Sequence, residues 1–186
     1  MADDRLISWF ALQVTPRHEI SVDALLHCKG YERFLPLCTV RRNWSDRVKT
    51  LEQPLFPGYL FCRIAQMALG PILRTPGVIR IISFGGKPCP VPDYEIKQLQ
   101  QAVHCRRDKC CIPFLAVGQQ VEIKTGPLTG IVGLITKLKN RHCLVLSVES
   151  IMKSVAVDIE ACELASVAMV SEQQILPVHQ PVRSDS

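Results

Sequence analysis

The sequence contains no uninterrupted run of eighteen apolar residues, although 47% of its 186 residues are hydrophobic. A helix that crosses a bilayer needs about twenty such residues, so the composition indicates a globular protein without a membrane span. The first five residues start with acidic side chains, and no long apolar segment follows them. This pattern is unlike a secretory signal. We therefore expect a cytoplasmic protein with no membrane partner.

The sequence also lacks the Cys-x-x-Cys pairs that are typical of zinc sites. Residues 104–111 (His-Cys-Arg-Arg-Asp-Lys-Cys-Cys) could form a metal site or a linker that carries thiols, and the absence of a second half with matching spacing favours the linker. We interpret most cysteines as small buried apolar residues of a reducing compartment. There are nine, an odd number at irregular spacing: Cys28, Cys38, Cys62, Cys89, Cys105, Cys110, Cys111, Cys143 and Cys162.

No cysteine has a histidine and an acidic partner in a context typical of a catalytic nucleophile, and the five histidines are scattered. A cysteine-dependent enzyme is therefore disfavoured. We predict no catalytic residues, no metal and no cofactor.

The positive charge of the chain is concentrated in one segment. The formal net charge is +5, but residues 33–49 alone carry five basic side chains and one acidic one. Residues 104–186 carry nine basic and eight acidic side chains. A local basic patch suits contact with phosphate, whereas the whole chain is not a strong binder of polyanions.

The apolar pattern predicts a mixed α and β architecture over the first hundred residues. Thr15 and Pro16 are placed to begin a first helix that Gly30 ends, and its apolar stripe consists of Ile20, Val22, Ala24, Leu25 and Leu26. Pro92 and Asp93 begin a last helix, with Ile96, Leu99 and Val103 on one face. The predicted strands are 9–14, 32–38, 59–64 and 78–82, with an extended hairpin or loop at 39–53 and a weak helix at 65–74.

This order predicts an α+β fold: an α/β sandwich in which helices pack on an antiparallel sheet. From Val117 onward, short alternating runs separated by Gly, Pro and Asn indicate a small β-barrel. We therefore expect a first domain at 6–103, a linker at 104–116, a barrel domain at 117–165 and a flexible tail at 166–186.

Several motifs occur in a specific order. Residues 54–61 read Pro-Leu-Phe-Pro-Gly-Tyr-Leu-Phe, and residues 74–78 read Arg-Thr-Pro-Gly-Val. Residues 117–121 read Val-Gly-Gln-Gln-Val, and residues 126–130 read Gly-Pro-Leu-Thr-Gly. Together they resemble the N-terminal domain and the KOW domain of NusG-family transcription elongation factors. The Phe-Pro-Gly-Tyr-Leu-Phe motif is closer to specialised antiterminators, such as RfaH and those of polysaccharide gene clusters, than to the housekeeping factor.

The resemblance implies a polymerase-binding surface. In that family a hydrophobic depression on this sheet face receives the β′ clamp helices of RNA polymerase, and the matching residues are Phe56, Tyr59, Phe61 and Phe84. From the residues alone, the aromatic side chains of Tyr59 and Phe61 are more often part of a core. The resemblance also places residues 67–71 near the β gate loop, although a short helix that packs on the core explains that segment equally well.

Two clusters are candidates for contact with nucleic acid. Arg41, Arg42, Arg47 and Lys49 flank Trp44, a pattern that can hold a phosphate backbone and stack a base, while a solvated hairpin is the alternative. Arg17 and His18 lie at a predicted helix N-terminus, which favours phosphate, although such a pair is more often simply exposed. The resemblance implies that non-template DNA or the upstream duplex passes nearby.

The KOW resemblance implies that the second domain recruits Rho or a small-subunit ribosomal protein, and in RfaH the same domain refolds into a helical hairpin. The β-branched runs here favour a barrel, although residues 149–153 could turn helical. We thus expect an elongation or antitermination factor that suppresses pausing or termination. The alternative is an RNA- or ribosome-binding KOW protein that does not act on the polymerase.

Overall fold

A computed structural model of the chain describes residues 7–44, 47–65, 69–105, 107, 109–113, 119–138, 141–160 and 168–169. The first part consists of β1 (Ile7–Val14), α1 (Glu19–Cys28), β2 (Glu32–Phe34), β3 (Leu37–Trp44), β4 (Arg47–Pro54), β5 (Tyr59–Ala65), α2 (Leu69–Leu73), β6 (Val78–Ile81), β7 (Ser83–Phe84), β8 (Lys87–Pro88), β9 (Pro90–Val91) and α3 (Asp93–His104). The second part consists of β10 (Lys109–Pro113), β11 (Gln119–Glu122), β12 (Val132–Leu138), β13 (Arg141–Val148), a 3-10 helix (Glu149–Ile151), β14 (Lys153–Asp158) and β15 (Ala168–Met169). None of the helices in these ranges is long and apolar enough to cross a membrane.

The first sheet has the strand order β2-β5-β1-β6, and β9 also pairs with β1. All of its pairs are antiparallel. Side chains alternate across a strand, so β1 sends Trp9 and Ala11 to one face and Phe10 and Leu12 to the other, and all four are buried. Helices α1 and α2 cover the Phe10 face with Val22, Leu26 and Ile72, whereas α3 covers the Trp9 face.

Helix α1 differs from the prediction at its start and along its stripe. It begins at Glu19 rather than at Thr15 or Pro16, and its N-cap residue, His18, makes no side-chain capping bond. The predicted stripe is also partly wrong, because Ile20 and Leu25 are 59% and 39% exposed while Glu19 is buried with Val22 and Leu26. The buried carboxylate turns the helix so that Ile20 faces solvent. The predicted C-terminal glycine is confirmed: Gly30 has a φ of 78°.

The predicted strand at 32–38 is wrong as a continuous element. β2 ends at Phe34, and the chain restarts at Leu37 in a separate two-stranded sheet formed by β3 and β4. Pro36 lies at the break, where the missing backbone N–H removes one donor from a continuing sheet ladder. The extended hairpin is confirmed, and its backbone register pairs Leu37 with Pro54 and Trp44 with Arg47. Residues 45–46 lie outside the described residues.

The second sheet is antiparallel, with the order β10-β14-β13-β12-β11-β15. Its outer strands fall in segments predicted to be linker and tail: β10 pairs with β14 along Lys109–Pro113, and β15 pairs with β11 through Ala168 and Met169. In the described ranges the two outer strands do not pair with each other. The chain is thus a mixed α/β protein with antiparallel sheets.

The two sheets share one apolar cluster. Trp9, Phe61 and Leu99 from the first part belong to the same buried cluster as Leu128 and Leu146 from the second. Helix α3 lies between them, in contact with β1 on one side and β13 on the other. Each large side chain buried here contributes about 1.5 to 3 kcal/mol to folding. The two halves of the chain therefore pack against each other through α3.

Candidate functional site

Two Pro-Gly turns hold the C-terminal end of β1. The amide of Val14 donates to the carbonyl of Gly58 at 2.9 Å, and the amide of Thr15 donates to the carbonyl of Gly77 at 2.9 Å. Both glycines have a positive φ, 81° and 89°, a backbone region that residues with a Cβ rarely adopt. The two motifs that stand out in the sequence thus meet at one strand end.

Helix α1 ties both turns together. The buried carboxylate of Glu19 accepts a hydrogen bond from the amide of Gly58 at 2.8 Å. At the other end of the helix, Lys29 Nζ donates to the hydroxyl of the buried Thr75 at 2.8 Å. The turns therefore have a structural role that neither motif shows in isolation. The role of Glu19 was not predicted from the sequence, because a glutamate in the first turn of a helix is usually explained by its interaction with the helix dipole.

The four predicted polymerase-binding aromatic residues lie in different environments. Phe56 and Phe61 are 1% and 0% exposed, with ring centroids 6.4 Å apart in an edge-to-face contact. Tyr59 is half-buried against the shared cluster. Phe84, on the β7–β8 hairpin, is 80% exposed. Of the four, Tyr59 and Phe84 therefore present ring surface to solvent, while Phe56 and Phe61 support the strand from inside.

A groove of about 420 Å³ runs beside Tyr59. Its walls are Tyr59 and residues 80–83 of the first part and residues 150–152 of the second. Met152, on the second wall, is 61% exposed and has a left-handed backbone with a φ of 51°. We call this feature the Tyr59 groove. Phe84 directly follows Ser83, a lining residue of the groove, in β7.

The structure describes the side chains of only some of the residues predicted to bind nucleic acid. Arg17 is exposed and has a φ of 70°, and the ring of the exposed His18 lies 3.3 Å from the carbonyl of Pro16. The backbone of β3 and β4 carries Arg41, Arg42, Arg47 and Lys49 on one hairpin, with Arg42 paired to Lys49. The side chains of residues 41–49 lie outside the described residues.

The segment predicted to face the gate loop is described in part. Residues 66–68 lie outside the described residues, and α2 follows with Ile72 fully buried and Leu73 47% exposed. Ile72 packs with the cluster under α1, so α2 packs on the core.

The turn at residues 126–130 faces α3. Gln101 Nε2 donates to the carbonyls of Pro127 and Thr129 at 3.2 Å and 3.0 Å, and Leu128 is fully buried. Lys109 Nζ, on β10, donates to the carbonyls of Val103 and Cys105 at 3.1 Å and 2.7 Å, and so satisfies carbonyls at the C-terminal end of α3.

Among the cysteines of the described residues, Cys38, Cys62, Cys105 and Cys143 are buried. Burial raises the pKa of the Cys62 thiol to about 12, which disfavours the nucleophilic thiolate. Residues 106 and 108 lie outside the described residues, and among those described no group of three or more potential metal ligands comes together.

Glu95, like Glu19, was not predicted from the sequence to be a special residue. It lies in the first turn of α3, is 6% exposed and has a carboxylate oxygen, Oε2, with no hydrogen-bond partner. Burial, and then the charge of Glu149 on the 3-10 helix, raise the pKa of Glu95 to about 8, against a hydrogen bond with Tyr94 that lowers it. The spacing of apolar residues correctly predicted that Ile96 and Leu99 lie on one buried face of α3. It could not show that the charge of Glu149, far away in the sequence, acts on Glu95.

Comparisons with known proteins agree on one family. The family model "Transcription termination factor nusG" matches residues 7–100. The Transcription termination/antitermination protein NusG of Lactococcus lactis subsp. lactis (strain IL1403) is 26% identical, over 90% of this chain and 99% of that protein.

Two solved structures were compared with the chain, and the first shows a likeness of fold. One described as "Domain interaction in Thermotoga maritima NusG" has a TM-score of 0.51 at 19% identity, over 88% of this chain and 97% of that one. Another, described as "Crystal Structure of MjSpt4:Spt5 complex conformation A", has a TM-score of 0.29 at 15% identity, over 88% of this chain and 98% of that one.

Proposed function

The chain belongs to the NusG family of transcription termination factors, and from this premise we propose that it is a transcription elongation and antitermination factor that binds RNA polymerase. The proposed contact is with the β′ clamp helices. The family consists of transcription factors rather than enzymes, so the proposed action is binding without a chemical step.

The proposed organisation places the polymerase-binding domain at 6–103, the linker at 104–116, the KOW domain at 117–165 and a tail at 166–186. The first sheet with α1 to α3 supports the first boundary, because these elements end at His104. The antiparallel strands β11 to β14 support the second unit. The linker would include a strand, because Lys109–Pro113 pairs with β14.

The observation that carries the polymerase proposal is the 80% exposure of Phe84, which directly follows a lining residue of the Tyr59 groove in sequence. An exposed aromatic ring on a short hairpin contributes little burial energy to the folded chain. The same ring buried in a partner's pocket is typical of an interface anchor. Tyr59 offers a second, partly exposed ring at the groove wall. In this proposal Phe56 and Phe61 hold the strand under the surface rather than touch the polymerase.

The proposed mechanism is a population shift. A factor that bridges the β′ clamp and the β side of the cleft, with residues 67–71 near the gate loop, binds the closed enzyme more tightly than the opened states linked to pausing. Such differential affinity moves the equilibrium toward the closed state, so the factor would suppress pausing or termination.

The basic hairpin and the start of α1 are proposed to meet nucleic acid, with the non-template DNA as the expected strand. Arg41, Arg42, Arg47 and Lys49 share the β3–β4 hairpin. Arg17 and His18 are exposed at the N-terminal end of α1. The KOW domain is proposed to recruit Rho or a small-subunit ribosomal protein.

The experiment that tests the proposal is binding of the full chain to RNA polymerase, with an isolated β′ clamp-helix fragment as competitor. We expect competed binding, and we expect Tyr59→Ala with Phe84→Ala to weaken it by about thirtyfold or more, because aromatic anchors commonly contribute about 1 to 2 kcal/mol each. Phe61→Ala is unsuitable as a probe, since emptying that buried site would cost about 3 to 5 kcal/mol of stability.

The matched control is Ile20→Ala with Leu25→Ala, which removes exposed apolar side chains from α1 on the opposite side of the sheet. This variant should bind like the unaltered chain. Equal loss in both double variants would remove the site assignment. No binding to polymerase, together with binding to RNA or ribosomes, would instead establish the alternative function of a KOW protein acting away from the polymerase.

A further inference from the structure

Helix α3 and the 3-10 helix belong to the same buried apolar cluster through Ile96 and Ile151, and the acidic residue that precedes Ile96 is buried as well. Glu95 is 6% exposed although it carries a carboxyl group. Burying an ionised carboxylate without compensating partners is costly. Ser150 Oγ, on the 3-10 helix, is also buried without a hydrogen-bond partner. Each of the two elements therefore buries one polar oxygen that has no partner in the part of the chain described.

The ionisable groups coupled to Glu95 come from three elements. Tyr94 precedes it on α3, Cys89 lies between β8 and β9, and Glu149 begins the 3-10 helix. All three are acids, so none of them supplies a positive charge. Burial first, and then the charges of Glu95 and Glu149, also raise the pKa of Cys89 and of Tyr94. A negative charge on Glu95 would thus meet Glu149 across the contact and little compensation from its neighbours.

We propose that Glu95 is an ionisation-controlled latch between the two sheets. With its carboxyl group protonated, the 3-10 helix stays packed on α3 and β9. When the proton leaves to solvent water, the new carboxylate faces Glu149 and the contact loosens. Apolar packing in the shared cluster holds the two sheets together. The charge on Glu95 determines how strongly that packing is opposed.

The latch acts on the Tyr59 groove because the two features share an element. Glu149 begins the 3-10 helix, and residues 150–152, which follow at once, form the second wall of the groove. β9, which leads into α3, packs against this same helix. Loosening at Glu95 therefore withdraws the second wall and widens the groove beside Tyr59.

The direction of the pH dependence follows from the raised pKa. In the packed arrangement the pKa of Glu95 is raised from 4.5 to about 8, so the packed form holds the proton more tightly than a form in which Glu95 meets water. Packing is strongest below about pH 4.5, weakens as the pH rises to about 8, and changes little above that. Each pH unit inside this window changes the ratio of packed to loosened molecules by up to about tenfold.

The test is hydrogen exchange of the full chain at pH 6 and pH 8.5, corrected for the intrinsic exchange rates at each pH, because exchange reports local opening. We expect amide protection in residues 95–104 and 143–152 to fall by a factor on the order of ten to a hundred between the two pH values. Glu95→Gln, which is neutral at both, should keep the protection high at pH 8.5. Protection that is equal at both pH values in the unaltered chain would overturn the proposal.

Two further variants keep the test decisive. Glu52→Gln neutralises an exposed carboxylate on β4 and should lose protection with pH as the unaltered chain does. Glu149→Gln removes the facing charge and should retain more protection at pH 8.5 than the unaltered chain. If Glu95→Gln does not fold, as judged by circular dichroism, Glu149→Gln decides: protection no higher than in the unaltered chain refutes the latch.

Discussion

Two constraints, one on the backbone and one on the space for a side chain, act on Gly77. Its φ is 89°, and a Cβ added there would lie 2.6 Å from Cγ2 of the buried Val22. Valine is stiff at χ1, so the methyl group cannot turn away without disturbing α1. The two Pro-Gly pairs are visible in the sequence, but it could not show that both turns receive the end of β1, because the two bonds join residues 44 and 62 positions apart in the chain.

The first prediction concerns this residue. Gly77→Ala should lower the free energy of unfolding by about 1 to 3 kcal/mol, because it adds a steric clash to an unfavourable backbone region. Gly70→Ala is the matched control: nothing lies within 4 Å of its added Cβ, and alanine favours the helix by up to about 1 kcal/mol. Urea unfolding monitored by circular dichroism measures both. A Gly77→Ala variant as stable as Gly70→Ala would show that the turn tolerates a side chain.

At the scale of elements, the sequence predicted what local pattern determines. β1 follows from its run of aromatic and β-prone residues, and α3 follows from Pro92 at its start and the spacing of Ile96 and Leu99. The stripe of α1 was partly wrong because the bond from Gly58 to Glu19 outweighs the preference for burying Ile20. Such a bond joins residues far apart in the chain and leaves no periodic trace.

The second prediction concerns the β3–β4 hairpin. Arg41→Glu with Arg42→Glu should weaken binding to a DNA strand and reduce the slope of log affinity against log salt concentration by about 1 to 2, since each lost phosphate contact removes slightly less than one unit. The measurement is fluorescence anisotropy at several salt concentrations.

The control for the hairpin is Arg74→Glu with Lys97→Glu, which reverses the same amount of charge at exposed positions outside it. An equal change of slope in both variants would mean that net charge acts, not the hairpin. An unchanged slope in the hairpin variant would contradict contact between these arginines and phosphate.

At the scale of the whole molecule, α3 joins two sheets that the sequence presented as separate units. The shared cluster includes Trp9 and Phe61 from one and Val121 and Ile131 from the other. Each run of residues predicted its own sheet, because alternation is local, but no pattern within a run shows which face packs on a distant element. The sequence therefore predicted that Tyr59 lies on a strand rich in aromatic residues. It could not predict the groove beside Tyr59, because residues 150–152 of the second part form one of its walls.

The third prediction concerns cooperativity. At pH 6, where Glu95 is protonated, residues of β1 and β13 should lose amide protection at the same urea concentration, because their common cluster makes them one unfolding unit. Hydrogen exchange across a urea series measures this. Separate midpoints for the two strands at pH 6 would show that the shared cluster contributes little to stability.

The two Pro-Gly turns at the end of β1 bear on how chains of this kind are recognised. The motifs are distinctive in sequence because the backbone requires them, and that requirement would be the same whichever partner the protein met. Finding these motifs in a chain therefore identifies its fold. In the proposed function, binding depends on other parts of the chain, the β3–β4 hairpin and the exposed ring of Phe84, so the turns identify the fold rather than the partner.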